Sequence, residues 1–301
     1  MNNISVIILT FNEEKHIERC ISSLKSFASQ VYVIDSCSTD RTKVLSESLG
    51  AKVYVNPWPG NHAKQFQWAL DNCDISTEWV MKMDADEYLL PELQSEISTK
   101  LCLISEDISG VYIKRRLHFM GKWIKHGSYY PTWLLRIWRY KHGFMEQRLM
   151  DEHIKLTRGG VVYFENDLVD ENLNNLTWWT LKHNNYSIRE AIDTLNHIYG
   201  FDESDLVSPK FFGTQEQRKR KLKNLYSDLP VFFRPMLYFT WRYFFRFGFL
   251  DGKQGLIWHF LQGFWYRFLV DAKIVEIRHN AGCDRNAIRL YIEKEYGVKF
   301  E

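Results

Sequence analysis

The chain has 301 residues, enough to bury a sizeable core without disulfide or metal staples. Apolar residues make up 45% and charged residues 25%, a globular balance that excludes a collagenous or mainly disordered chain. The formal charge of +2 makes no case for nucleic acid as a partner. The five cysteines, Cys20, Cys37, Cys73, Cys102 and Cys283, are odd in number and lack a CxxC pair, which argues against a disulfide framework or zinc site and for a reducing compartment.

The first apolar run, ISVIILT (4–10), is β-branched and apolar on both faces, as a buried parallel strand requires. It is short and followed by acids, so it reads as a strand and not as a signal peptide. Ile17, Ile21 and Leu24 then recur at helical spacing. VYVID (31–35) is a second strand, and Thr39 or Asp40 caps a helix through Val44, Leu45 and Leu49 that Gly50 closes. KVYV (52–55) is a third strand, residues 62–72 are helical, and WVMKMD (79–84) is a fourth strand that ends in an acidic cluster. This alternation predicts right-handed βαβ units and a parallel sheet. Beyond residue 100, GVYIKRR (110–116) and WLLRIWR (133–139) read as strands joined by a Gly- and aromatic-rich loop. Two short strands flank Gly159-Gly160, and helices run over 176–199 and 215–226. Residues 230–270 hold 16 of the 47 aromatics.

Open parallel sheets bind ligands beyond the carboxyl ends of their strands. Three of the first four strands deliver polar or acidic residues there: Thr10-Phe11-Asn12-Glu13, Asp35-Ser36, and Asp84-Ala85-Asp86-Glu87. The first turn has neither GxGxxG nor GxxxxGK[ST], which disfavours a dinucleotide dehydrogenase or a P-loop NTPase. A carboxylate pair holding a divalent cation would neutralise nucleotide phosphates instead. Asp84 and Asp86, two apart at a strand end, suit that task.

These motifs carry a resemblance. TFNEEKHIERCISSL, VYVIDSCSTDRT and WVMKMDADEYL, followed by RRLHFMGKWIKHGSYYPTWLLRIWR, MDEHI and LTWWTLKHNNYSIREA, resemble family 2 glycosyltransferases, the inverting nucleotide-sugar enzymes of GT-A fold. The subgroup they are similar to builds bacterial lipopolysaccharide core, O-antigen or capsule. The resemblance implies a nucleoside pocket lined by Thr10, Phe11, Asn12 and Glu13, with Asp35 bonded to the base. It puts Asp84 beside the ribose and diphosphate, with Ala85 between it and Asp86, the principal ligand of Mn²⁺ or Mg²⁺. Lys64 and Gln65 fall in a segment where relatives contact the nucleotide. Inverting transfer also needs a general base for the acceptor hydroxyl. The resemblance offers the adjacent Asp151 and Glu152 in MDEHI and favours Glu152, although related core-sugar transferases carry His-Glu where this chain has Asp-Glu.

His153 and His183 could complete a metal shell. Arg115, Arg116, Lys122, Lys125 and His126, with Trp123, Tyr129, Tyr130 and Trp133, could meet phosphates or sugars, or equally form a solvated basic face and a packed core. In the tail, Arg234, Arg242 and Arg246 recur at one-face helical spacing within an aromatic run. The apolar stretch 256–270 is shorter than the ~20 residues a bilayer span needs. Amphipathic helices of this kind suit the interface of an anionic membrane, and Arg218, Lys219, Arg220, Lys221 and Lys223 would strengthen the attraction. A dimer or tetramer interface has a similar composition.

The expectation is therefore an α/β, GT-A catalytic domain over residues 1–200, with a nucleotide half (1–100) and an acceptor half (101–200). A helical region over 201–301 would serve membrane association or oligomerisation. The activity expected is metal-dependent transfer of a sugar, UDP-linked, to a cell-envelope glycan or lipid-linked acceptor at the cytoplasmic face of the membrane, with no nucleic acid involved. The alternatives are a sugar-1-phosphate nucleotidyltransferase, whose first turn should be rich in Gly, Arg and Lys as TFNEEKH is not, and a catalytically silent nucleotide-binding scaffold.

Overall fold

In the computed structural model, residues 3–146, 153–201, 226, 229–298 and 300 are described. They form two compact units, residues 1–174 and 175–301. The division falls ahead of residue 200, because the helix Leu176–Tyr199 packs with later helices through Ala191, Ile192 and Leu195.

The first unit is built on a nine-stranded sheet. Its strands are β1 (Ile4–Thr10), β2 (Gln30–Asp35), β3 (Lys52–Val55), β4 (Trp79–Asp84), β5 (Glu87–Leu89), β6 (Ile108–Phe119), β7 (Lys122–Trp123), β8 (Thr132–Arg139) and β11 (Gly160–Glu171). The order is β3-β2-β1-β4-β8-β6-β11-β5, with β7 paired to β6. Strands β3, β2, β1 and β4 are mutually parallel, as the sequence rhythm predicts. The sheet is nevertheless mixed: β8 runs antiparallel between β4 and β6, and β5 runs antiparallel to β11. Of the two short strands expected around Gly159-Gly160, one is short, β10 (Ile154–Leu156), and the other is the 12-residue β11. Strand β10 pairs with β9 (Gly143–Met145) in a separate two-stranded sheet.

Alternation along β1 explains why its sequence is apolar throughout. Ile4, Val6 and Ile8 enter one core with Ile17, Cys20, Ile21 and Leu24 of α1 (Ile17–Ser22) and the turn after it. Ile7 enters the opposite core with Ala63, Phe66 and Ala69 of α3 (His62–Asn72) and with Trp138. A strand buried on both faces has no polar side to present. The start of α3 is set by Asn61, whose side chain accepts from the N–H groups of Ala63 (2.6 Å) and Lys64 (3.2 Å). The helix α2 (Thr42–Ser48) begins just after Asp40, whose carboxylate accepts from the Thr42 N–H at 2.9 Å.

The second unit is helical. Its first helix, Leu176–Tyr199, is capped by Asn175, which accepts from the Trp178 N–H, and ends at Gly200 in the left-handed region (φ 64°). The core joins Ala191, Ile192 and Leu195 to Tyr266, Val270, Ile274 and Ile277 of the helix Tyr266–Ala281 and to Ile288 and Ile292 of the helix Arg285–Tyr296. The helix Phe233–Thr240 continues through a π-helical turn, Trp241–Phe245, into the connection that leads to Gly252. There Gly248 lies against the next helix: a Cβ on it would meet the His259 ring at 2.5 Å. Arg234, expected on a basic surface face, is buried with Asp271; its Nε donates to Asp271 Oδ1 at 2.8 Å. A buried charge needs such a partner, and this one lies 37 residues away. No helix among the described residues is long and apolar enough to cross a membrane. The basic cluster 218–223 and the helix expected over 215–226, apart from Tyr226, lie outside the described residues.

Candidate active site

The loops after β1 and β2 are joined by side chains. Thr10 and Asp35, both 2% exposed, face each other across the parallel pair, and the Thr10 hydroxyl donates to Asp35 Oδ1 at 3.0 Å. The Ser38 hydroxyl donates to the same oxygen at 2.5 Å, and the Ser38 N–H to the other at 2.8 Å. Asn12 sits in the left-handed region (φ 56°). Its N–H donates to Ser38 Oγ, and its side-chain carbonyl accepts from the Thr39 N–H, both at 2.8 Å. The Glu13 N–H donates to Thr42 Oγ1 at 2.7 Å. Asp35 therefore organises a double loop beyond the sheet, and Phe11 stands out from it at 57% exposure.

Gln65 lies in the first turns of α3, fully buried. Its amide donates to Ser36 Oγ (3.1 Å) and the Asn56 carbonyl (2.9 Å) and accepts from Asn56 Nδ2 (2.7 Å). Its side chain is spent on holding the ends of β2 and β3, whereas the neighbouring Lys64 is exposed.

Asp84 ends β4, and Ala85 and Asp86 form the turn into β5. Lys82 Nζ approaches Asp84 Oδ1 at 3.4 Å, and Arg136 donates to Oδ2 at 3.0 Å. Burial opposes ionisation of Asp84, but Lys82 and Arg136 outweigh it and hold the carboxyl well below the usual range. Arg136, on β8, also binds Glu87, which is 1% exposed and whose Oε2 accepts the Asp84 N–H at 2.9 Å. Burial, with Asp84 and Asp170 adding to it, raises Glu87 above the carboxylate range against the pull of Arg136. Asp170 on β11 is pushed up to about 6 by burial and by Asp86 and Asp84, although Arg115 pairs with it at 3.2 Å.

Asp86 is held by Arg19 and by residues at and just after the end of β11. The Asn172 amide donates to its Oδ2 at 3.0 Å, and its backbone carbonyl accepts from the Glu171 N–H (3.1 Å) and Arg19 (3.3 Å). Arg19 in turn donates to Glu171 at 2.7 Å and lies over the Tyr88 ring. His16, 1% exposed, accepts from the Leu173 N–H at Nε2 (2.8 Å), so its Nδ1 carries the proton donated to Glu13 (2.6 Å). Arg136, Asn172 and His16 were not singled out in the sequence, and Glu87 was named only as part of the strand-end acidic run. The signal for Arg136 was an arginine inside the apolar strand WLLRIWR, which must find acids when buried.

No group of three or more His, Cys, Asp and Glu suited to a metal occurs among the described residues. The donor set that is present fits a hard cation of another kind. Mg²⁺-like ions use one or two carboxylates and take their remaining oxygens from water and substrate phosphates. Asp86 offers a carboxylate with only Oδ2 engaged by a hydrogen bond among the described residues, and Asp84 is held ionised.

Asp151 and Glu152 lie outside the described residues, which resume at His153. The segment 147–152 connects β9 to β10, and the Glu146 N–H bonds the His153 carbonyl at 2.9 Å where the ladder ends. His183 belongs to the helical unit, with its ring stacked on Trp179 at 3.5 Å. Arg116 bonds Asp167 at 2.5 Å and lies over the Trp123 ring, and the Tyr130 hydroxyl donates to the same carboxylate at 3.0 Å.

The mixed sheet gathers Thr10, Asp35 and Asp84 at the carboxyl ends of its parallel strands, with Asp86 in the next turn and no glycine phosphate loop after β1, an arrangement that suits the GT-A glycosyltransferase fold. The glycosyl transferase family 2 model matches residues 5–168, and the chain belongs to that family. It is 49% identical over 94 residues to a glycosyltransferase of Rickettsia bellii, a match covering 31% of each chain. It is 35% identical over 123 residues to the lipopolysaccharide core biosynthesis glycosyltransferase LpsC of Rhizobium meliloti, covering 39% of this chain and 44% of that one. The chain spans about a third of the length of the Rickettsia relatives it matches. Among solved structures, glucosyl-3-phosphoglycerate synthase of Mycobacterium tuberculosis, in complex with Mn²⁺, UDP and glucosyl-3-phosphoglycerate, is similar at 26% identity and TM-score 0.32 over 38% of this chain and 44% of that one.

Proposed function

We propose that this glycosyltransferase moves a sugar from a nucleotide donor, UDP-linked, to a cell-envelope glycan or lipid-linked acceptor, with inversion. The observation that carries the donor half is the paired loop around Asp35, beside the Asp84-Ala85-Asp86 turn at the carboxyl ends of β2, β1 and β4. In this reading Asp35 presents a fixed acceptor to the base N–H. Thr10, Phe11, Asn12 and Glu13 border the nucleoside, Lys64 faces the diphosphate, and Gln65 positions the segment. Asp86 and Asp84 hold Mn²⁺ or Mg²⁺, which when bound would offset the charge of the departing diphosphate. Glu152, or its neighbour Asp151, takes the proton of the acceptor hydroxyl as the acceptor oxygen attacks the anomeric carbon. Similarity to LpsC supports lipopolysaccharide core as the acceptor class. Residues 1–200 would supply the catalysis. Residues 201–301 would bring the enzyme to the inner face of the cytoplasmic membrane, or pair it with a second subunit.

A panel of nucleotide sugars, read by thermal stabilisation and by Mn²⁺-dependent hydrolysis, tests this reading. UDP-sugars should stabilise the protein only with the metal, and Asp86→Ala should remove the effect without unfolding the chain. Glu152→Gln should keep donor binding and lose transfer. If Asp151→Asn does so instead, the base is Asp151, and a wild-type rate in Asp86→Ala would refute the metal assignment.

A further inference from the structure

The helical unit turns a large apolar surface to water. Between Phe233 and Phe268, twelve large apolar side chains are exposed, among them Trp241, Phe244, Phe245, Phe247, Phe249 and Leu250 around the connection between two helices. These rings are not scattered. Tyr243 contacts Phe239, Phe244 and Phe249, and Phe249 contacts Phe247, all with centroids within 6.3 Å, while Trp241 stacks on Phe245 at 5.7 Å. Single exposed apolar residues need no explanation, but a joined patch marks a binding surface.

Charge identifies what the surface fits. The two acids between Phe233 and Lys273 are Asp251 and Asp271, and both are buried, at 3% and 1% exposure. Arg246 and Lys253 are exposed, and Arg242 and Arg267 partly so. The charge this stretch presents to solvent is therefore positive, next to aromatic rings that include Trp and Tyr. Rings that enter acyl chains, beside cations that stay at phosphate level, are the chemistry of insertion into one leaflet of an anionic bilayer.

We propose that the segment 241–250 is a preformed insertion element, with Phe244, Phe245, Phe247, Phe249 and Leu250 among the acyl chains and Arg242, Arg246 and Lys253 at the lipid phosphates. This deepens the reading that the enzyme works at a membrane, and its test does not depend on turnover. The full-length chain is sedimented with vesicles of phosphatidylcholine alone or mixed with phosphatidylglycerol. Binding should favour the anionic vesicles and weaken with salt. The triple variant Phe245→Ser/Phe247→Ser/Phe249→Ser should lose at least about tenfold in partitioning, with its thermal unfolding unchanged. Arg246→Gln/Lys253→Gln should erase the preference for anionic lipid. Trp241 fluorescence in the wild-type chain, isolated by difference from Trp241→Phe, should be quenched by brominated acyl chains, a readout that needs no folded triple variant.

Equal sedimentation of the triple variant, or no quenching of Trp241, overturns the proposal. A lipid-free dimer that the triple variant converts to monomer, without vesicle binding by the wild type, overturns it in favour of self-association. Donor hydrolysis is scored separately, so loss of UDP-sugar hydrolysis with intact vesicle binding would count against the transferase reading and leave the insertion element standing.

Discussion

The side-chain amide of Asn172 donates to a carboxylate oxygen of Asp86 at 3.0 Å, while the adjacent Glu171 N–H donates to the Asp86 backbone carbonyl at 3.1 Å. Side chain and main chain of the proposed metal ligand are thus fixed from the end of one strand. Partners that orient a ligand commonly matter about 10–100-fold in metal affinity. Asn172→Ala should weaken Mn²⁺ binding, titrated directly in the presence of UDP, by about tenfold. An unchanged Mn²⁺ titration would show that Asp86 is oriented without Asn172.

Arg136 lies 4% exposed between Asp84 and Glu87. Removing one partner of a buried ionic network leaves charge uncompensated, at a cost of about 3–5 kcal/mol. Arg136→Met should destabilise the first unit on that scale in chemical denaturation, and adding Glu87→Gln should recover part of the loss. A double variant less stable than Arg136→Met would contradict the network.

The buried Gln65 amide joins Ser36 to Asn56 through three hydrogen bonds. Gln65→Leu keeps similar bulk but strands those partners, so a loss of about 1–3 kcal/mol is expected. Lys64→Ala, one residue away and exposed, should leave stability near wild type and weaken UDP binding in calorimetry. The opposite pattern would exchange the roles assigned to the two residues.

His183 predicts a pH dependence. Burial draws its imidazole down from 6.5 to about 4, against the hydrogen bond it makes to the Trp179 carbonyl. Between those values the unfolded chain binds the extra proton. His183 therefore costs no stability above about 6.5, costs progressively more as pH falls towards 4, and adds no further loss below that. The melting temperature of wild type minus that of His183→Gln should fall across this window and be flat above it. A flat difference throughout would place the ring in solvent.

The parts of the fold set by local pattern were legible in the sequence. Strands β1 to β4, the helix His62–Asn72 and the helix Leu176–Tyr199 lie where the apolar periodicity puts them, and the structure adds the caps Asn61 and Asn175 that start the two helices. Long-range pairing was not legible. Nothing local tells WLLRIWR to run antiparallel between β4 and β6, and Arg234 shares helical spacing with Arg242 and Arg246 although its partner is Asp271. The same limit applies at the site. Strand-end acids, Glu87 among them, are visible as motifs, but Asn172 and Arg136 reach Asp86, Asp84 and Glu87 across long stretches of chain, and no spacing announces them.

The close approach of Gly248 to the His259 ring bears on how firmly the exposed phenylalanines are presented. A side chain at position 248 would force the connection off the helix it rests against, so the rings on either side of it are mounted on a braced corner. A loose loop would have to surrender conformational entropy on meeting a surface, whereas a braced corner has already done so during folding. Gly248→Ala should therefore leave every contacting ring in the sequence and still weaken vesicle binding, because what it removes is rigidity.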